Sequence, residues 1–221
     1  KTNHFSIDFQ ALPWLETSFR YSHFAPGSQN YDRSFGFKAR IFSEENGLAD
    51  VSVGARDLLG TGIYSSEYIA ASRHVGPVDL TVGLGWGRLA DNNTFSNPLG
   101  EIFSSFKVRG AQTSGATGGA FNIREYFRGP NVGLFGGAVW QTPIDGLRLI
   151  AEYSSDKYTR EKLEAPKTFP VRSPVNLGLA YQFTNSISAS AGWYYGSSYG
   201  ITISLSGDPT TEVKSAGRIG P

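Results

Sequence analysis

The chain has 221 residues, 20 Lys+Arg against 19 Asp+Glu, a net charge of +1 and a hydrophobic fraction of 39%. No apolar run approaches the ~20 residues of a spanning helix. No basic stripe interleaved with base-stacking aromatics marks a nucleic-acid surface. Cys 0 excludes disulfides and thiolate metal sites, while Gly 27, Phe 15, Tyr 11 and Trp 4 make a composition rich in glycine and aromatics. Moderate hydropathy is still compatible with a membrane barrel, whose strands turn only alternate residues to lipid. With Met 0 and a start at Lys1 lacking a basic n-region and an apolar h-region, the chain is expected to be a processed or excised piece.

Taken in order, residues 4–12 set Phe5, Ile7, Phe9 and Ala11 against Ser6, Asp8 and Gln10. After a turn at Leu12-Pro13, residues 14–24 alternate again, with Leu15, Phe19 and Tyr21 opposite Glu16, Ser18 and Arg20. Residues 34–42 place Phe35, Phe37, Ala39 and Ile41 against Gly36, Lys38 and Arg40, and residues 50–59 place Val51, Val53 and Ala55 against Asp50, Ser52, Gly54 and Arg56. Residues 63–75 are the least regular strand: Tyr64, Tyr68 and Ala70 share a face with Ser66 and Ser72, leaving Glu67 and Arg73 opposite, on the polar side. Residues 78–89 give the clearest alternation, Val78, Leu80, Val82, Leu84 and Trp86 against Asp79, Thr81 and three glycines. Bulk water favours charge over glycine at such positions; a barrel lumen accepts small residues.

Residues 90–120 read as a large polar loop, and residues 121–128 as either a strand or a segment folded inward. Strands follow at 132–142 and 147–153, then a densely charged loop at 154–173, then three strands at 175–183, 186–195 and 199–206. Their faces are apolar on one side and almost wholly uncharged on the other. Short and long connections alternate along the whole chain, as in outer-membrane barrels with short inner turns and long external loops. The expectation is an all-β fold, a transmembrane antiparallel up-and-down β-barrel of about 11–12 strands with a polar lumen. Residues 1–206 form it, incomplete at the N-terminal side, and 207–221 are a C-terminal linker. A soluble β-barrel or sandwich is the competing fold.

Chemistry-bearing constellations are scarce. His4 and His23 fall near one rim, where they offer at most a metal pair or help to a lipase; Gly83-Leu84-Gly85-Trp86-Gly87 lacks the helix that a phosphate loop requires. The sequon Asn92-Asn93-Thr94 has no force in a bacterial barrel. No enzyme and no cofactor are expected. Charges on the polar face carry more interest: Glu16, Arg20, Lys38, Arg40, Arg56, Glu67, Arg73, Arg148 and Glu152 line the expected lumen, with Asp8, Asp50 and Asp79 beside them. They pair across strands, or their basic members line a path for an anionic or hydroxyl-rich polymer, with Tyr126, Phe127 or Tyr194 as stacking faces. Arg124, Glu125, Tyr126 and Arg128 form a constriction if their segment folds inward. Trp14, Tyr21, Trp86, Trp140, Tyr153, Tyr181, Trp193 and Tyr195 read as an aromatic girdle at the membrane interfaces.

Particular strings resemble a known family: Leu12-Pro13-Trp14-Leu15-Glu16-Thr17-Ser18-Phe19-Arg20-Tyr21, Ser65-Ser66-Glu67-Tyr68-Ile69-Ala70-Ala71-Ser72 and Leu84-Gly85-Trp86-Gly87. So do Tyr126-Phe127-Arg128-Gly129-Pro130, Leu134-Phe135-Gly136-Gly137 with Gln141-Thr142-Pro143, Ala151-Glu152-Tyr153 and Ser173-Pro174-Val175-Asn176-Leu177-Gly178-Leu179. Together they are similar to the YjbH-type (GfcD-like) exopolysaccharide-biosynthesis outer-membrane family, over nearly the whole chain and in order. The resemblance implies a bacterial outer-membrane location and a role in making or exporting capsule or exopolysaccharide. It implies as partners membrane lipid and lipopolysaccharide, the extracellular polysaccharide and other export proteins of the envelope. It implies a longer parent protein and brings no catalytic residues. The alternatives are a general diffusion porin and a structural or adhesion barrel with a plugged lumen.

Overall fold

The computed structural model describes residues 3–23, 31–60, 64–110, 125–159 and 170–207. Alternation of period two produces β1 (Asn3–Leu12), β2 (Leu15–His23), β3 (Tyr31–Phe42), β4 (Asp50–Leu58), β5 (Ser66–Val75) and β6 (Val78–Gly87). The short β7 (Thr94–Ser96) precedes β8 (Asn131–Gln141), β9 (Leu147–Tyr153), β10 (Val175–Thr184), β11 (Ile187–Tyr194) and β12 (Ser198–Leu205). Every pairing is antiparallel and the order is β1-β2-β3-β4-β5-β6-β8-β9-β10-β11-β12, an up-and-down meander. Strand β7 pairs with the start of β8 on the edge away from β6: Gly133 faces Gly85 on one side and Thr94 on the other. The complete helical elements among the described residues are α1 (Pro98–Ile102) and three 3-10 turns.

The strand count matches the alternation, but the expected closure is absent. Strands β1 and β12 each pair on one side only, so among the described residues the sheet is open. Closure requires tilt and stagger that bring first and last strands into register, and no such register forms here. The expected linker lies, from residue 208 on, outside the described residues.

Burial is inverted relative to a water-soluble sandwich. Ala55, Trp86, Val132 and Ala180 are the only buried hydrophobic residues described, against thirteen buried polar or charged ones, including Ser22, Asp32, Ser66, Glu67, Asn97 and Asn176. Large apolar side chains instead stand exposed on alternate positions across the sheet: Phe5, Ile7 and Phe9 on β1, Leu80 and Val82 on β6, Leu177 and Leu179 on β10, and Ile201 at 82% on β12. The other face is small or polar and concave. One cleft is lined together by residues of β2, β3, β4, β5, β6, β8 and β9. A flat sheet cannot bring seven strands to one cleft, so the curl follows from the lining.

Strand β5 runs in the opposite phase from the one its aromatics imply. Ser72 Oγ lies 2.7 Å from Thr81 Oγ1, and Tyr68 pairs with Gly54 and Gly85, so Tyr68, Ala70 and Ser72 face the concave side. Glu67 pairs with Ala55 and Trp86, and Arg73 with Leu80, on the apolar side. Tyr68 pulls the sequence reading outward as an aromatic; the phase is fixed instead by Ile69, Ala71 and Val75.

Candidate functional site

Among the described residues the concave wall carries three adjoining clefts. The largest, about 390 Å³, is lined by Glu16, Lys38, Arg56, Tyr68, Phe135 and Glu152 among others. Two aromatic rings shape it, made possible by glycines. A Cβ on Gly54 would stand 2.4 Å from Tyr68 Cζ, and one on Gly83 2.2 Å from Phe135 Cζ, so each ring occupies the place where a neighbouring side chain would rise. The rings meet edge to face, centroids 6.2 Å apart. Arg56 reaches this wall by alternation from Ser52 and Gly54, and β4 bulges just beyond it: Phe37 pairs with Ala55 but Phe35 with Leu58, and Asp57 stands at φ 63. Asp57 then accepts the Tyr64 N–H at 2.7 Å. Charges on the wall pair loosely. Lys38–Glu16 and Arg20–Asp32 lie at 3.9 Å, Arg40–Asp50 at 3.8 Å. Arg56 and Glu152 form no hydrogen bond or ion pair with the described residues.

Above the wall, a stack of alternating guanidinium and phenol groups crosses the concave mouth. Arg20 of β2 lies 4.5 Å from the Tyr64 ring centroid; Arg88, after β6, lies 5.1 Å from Tyr64 and 5.1 Å from Tyr158. Tyr158 packs edge-on against Tyr195 at 4.4 Å. Arg88 is also ion-paired to Asp156, whose Oδ1 accepts the Tyr158 N–H, and Asn176 Oδ1 accepts the Tyr195 N–H at 2.9 Å. Both tyrosines sit at positive φ, Tyr195 directly after β11 and Tyr158 in the segment that follows β9. Burial pushes both hydroxyls above the ordinary tyrosine range.

A third assembly lies on the apolar side, at the rim where β5 begins and β6 ends. Glu67, 0% exposed, accepts two 2.8 Å bonds from the Arg109 guanidinium, one from Ser65 Oγ at 3.2 Å and one from the Phe127 N–H at 2.9 Å. Beside it Asn97 Oδ1 accepts from Trp86 Nε1 at 3.1 Å and from Leu99 N at 3.1 Å, while its Nδ2 donates to the carbonyls of Phe106, Phe127 and Gly129. The Trp86 indole lies 5.2 Å from the Phe127 ring. Gly87 permits the approach: at φ +62, a Cβ there would meet Ser65 O at 2.6 Å and Arg109 Nη2 at 2.8 Å. This knot pins both ends of the long β6–β8 connection to the sheet.

The family model described as "Exopolysaccharide biosynthesis protein YbjH" matches residues 1–218. The chain belongs to this family. It is 34% identical to the "Uncharacterized lipoprotein YjbH" of Escherichia coli (strain K12), an alignment that covers 91% of this chain and 30% of that protein. The chain thus spans about a third of the length of the curated relative it matches. No solved structure matches it. Within this YjbH-family chain, three of the strings that carry the resemblance, at 65–72, 84–87 and 126–130, meet in one place: Glu67, Trp86 and Phe127 are the centre of the rim knot.

The structure distributes the expected site residues as follows. Glu16, Arg20, Lys38, Arg40, Arg56, Arg148 and Glu152 share the concave polar face by register. Glu67 and Arg73 do not, because β5 is phased the other way. Glu125, Tyr126 and Arg128 line none of the three clefts. Arg128 instead stacks over Phe106 and donates to Ser105 O, and burial pushes the Tyr126 hydroxyl up to about 12. Arg124 lies outside the described residues, as does the start of its segment. Tyr21, Trp140, Tyr153, Tyr181 and Trp193 stand on the apolar face. Trp86, 1% exposed, is no girdle residue: the knot seals it. Tyr195 belongs to the stack, and Trp14 sits in the β1–β2 turn beside the clefts. Phe127, expected as a stacking face, is occupied by Trp86. Sequence reasoning missed Tyr68, Phe135, Tyr64, Arg88 and Tyr158; glycines opposite Tyr68 and Phe135 were the available signal. His4 pairs by backbone with Ser22 and His23 with Asn3, and the two histidine side chains lie outside the described residues.

Proposed function

We propose that this chain is the wall of an outer-membrane β-barrel, non-enzymatic, that carries or supports an exopolysaccharide during its assembly and export. One observation carries the reading: polar and charged residues are buried while the large apolar residues are exposed on alternate positions across the sheet. Soluble monomers rarely show an apolar patch beyond ~600 Å², and a sheet that is greasy outside and polar inside finds its solvent match in a bilayer. Unpaired strand edges are costly in lipid, so β1 and β12 are paired in the assembled protein. Family membership supplies the link to exopolysaccharide, and the lipoprotein name of the relative fits an envelope location. The concave wall provides the hydrated path, and the arginine–tyrosine stack narrows its mouth in the place of the constriction expected near residue 124.

The test is secretion by cells whose full-length protein carries Ser52→Trp and Ser72→Trp, bulky groups placed on the concave wall. Loss of secreted polymer at unchanged protein level supports the path. Unchanged secretion sinks it. Planar bilayers separate a general porin, which conducts regardless of added polymer, from a path that the polymer blocks.

A further inference from the structure

We infer that the cleft bounded by Tyr68 and Phe135 is a binding subsite for an uncharged pyranose unit of the polymer. The inference rests on the reading of the concave wall as a polymer path and narrows it to a substrate class. Three observations carry it. The first is the pair of rings: held over Gly54 and Gly83 and set edge to face, they offer an apolar corner on an otherwise polar wall. The C–H face of a pyranose packs on such a surface, while its hydroxyls need donors and acceptors around the edge.

The second observation is that those donors and acceptors are present and uncommitted. Arg56 and Glu152, on β4 and β9, both line the cleft, and neither forms a hydrogen bond or an ion pair with the described residues. One gives only donors and the other, ionised, only acceptors. Together they match a group of hydroxyls, each of which is both. The Lys38–Glu16 pair at 3.9 Å adds one of each kind alongside.

The third observation is charge balance, which separates a neutral sugar from a polyanion. In this cleft Lys38 and Arg56 face Glu16 and Glu152. In the neighbouring clefts Lys38 and Arg40 face Glu16 and Asp50, and Arg20, Lys38 and Arg56 face Asp8, Glu16 and Asp57. A path for an acidic polymer gains from a surplus of cationic side chains that attracts and holds the chain. None of the three clefts has one. The volume, about 390 Å³, lies within the ~300–1,000 Å³ of small-molecule sites and suits one or two sugar rings.

Isothermal titration of the full-length protein in detergent, at low and high salt, uses maltohexaose and cellohexaose as neutral probes and hexagalacturonate as the acidic one. The expected result is that a neutral hexasaccharide binds with an affinity salt leaves unchanged, and about tenfold or more tighter than hexagalacturonate. Tyr68→Ala, Phe135→Ala and Glu152→Gln each weaken that binding by roughly three- to tenfold, and Tyr68→Phe, which keeps the ring, retains it. Heat-modifiable gel mobility of each variant reports that the barrel is folded. Tightest binding by hexagalacturonate with loss in high salt, no binding by any probe, or Tyr68→Ala indistinguishable from the parent protein overturns the subsite. Binding as described with unchanged secretion in Tyr68→Ala cells overturns the path instead, and leaves the subsite standing.

Discussion

Basic side chains meet carboxylates in two regions of this molecule, with opposite results. On the concave wall, Lys38–Glu16 and Arg40–Asp50 stand 3.9 and 3.8 Å apart with roughly half of each cationic side chain exposed. At the rim, Arg109 grips Glu67 through two 2.8 Å bonds, with the carboxylate fully out of solvent. Exposed pairs at such distances contribute ~0–1 kcal/mol, since water competes for both partners. A buried pair leaves no such substitute, so losing one member strands the other. The wall therefore keeps its charges available to water and solute, whereas the rim commits them to holding a loop. Function is to be sought where the pairing is loose.

That contrast orders the expected effects of mutation. Glu67→Ala or Arg109→Ala should lower unfolding stability by about 3–5 kcal/mol, measured by urea titration of the full-length protein in detergent; losses under about 1 kcal/mol in both would erase the distinction between rim and wall. Asn97→Ala removes bonds to a buried indole and three carbonyls and should cost about 1–3 kcal/mol. It should also expose Lys107, Arg109 and Arg128 to trypsin while the sheet stays folded. Lys38→Gln on the wall should change stability by less than about 1 kcal/mol yet shift ion selectivity in a planar bilayer, because its charge faces the path. A Lys38→Gln channel with unaltered selectivity would place that lysine outside the path.

The smallest effect belongs to the turn after β3. His74 Nδ1 lies 2.8 Å from Glu44 Oε2, and the His74 N–H also donates to that carboxylate, holding its pKa below the ordinary value. A depressed carboxyl stabilises the fold at pH above its unfolded value, and the contribution disappears as pH falls through the folded one. Glu44→Gln should therefore trim stability slightly near neutral pH and make no difference in acid. A Gln variant that is weaker in acid than the parent protein would contradict this sign.

Much of the fold was legible because one face of each strand is consistently apolar. Residues 78–87 alternate without a break and became β6 with the expected faces. Two kinds of error remain. Strand β5 carries Tyr68 where an aromatic reads as outward, although the glycine opposite it on β4, Gly54, leaves the space that an inward ring fills. The knot around Glu67 was illegible for a different reason: it joins residues 67, 86, 97, 109 and 127 through side-chain geometry that no periodicity encodes. Trp86 was misread by the same route, its parity right and its covering invisible. The arginine–tyrosine stack likewise depends on positive φ at Tyr158 and Tyr195, which sequence does not announce for tyrosine.

The central claim, apolar face to lipid and concave face to water, is tested most directly by scanning β6. The chain lacks cysteine, so single cysteines at positions 79 to 84 can each carry a spin label in the full-length protein reconstituted in liposomes. Collision with oxygen, which concentrates in lipid, should peak at Leu80, Val82 and Leu84, and collision with a water-soluble nickel chelate at Asp79, Thr81 and Gly83. A flat profile, or high nickel accessibility at Leu80 and Val82, would show that this face meets water and would contradict the membrane barrel.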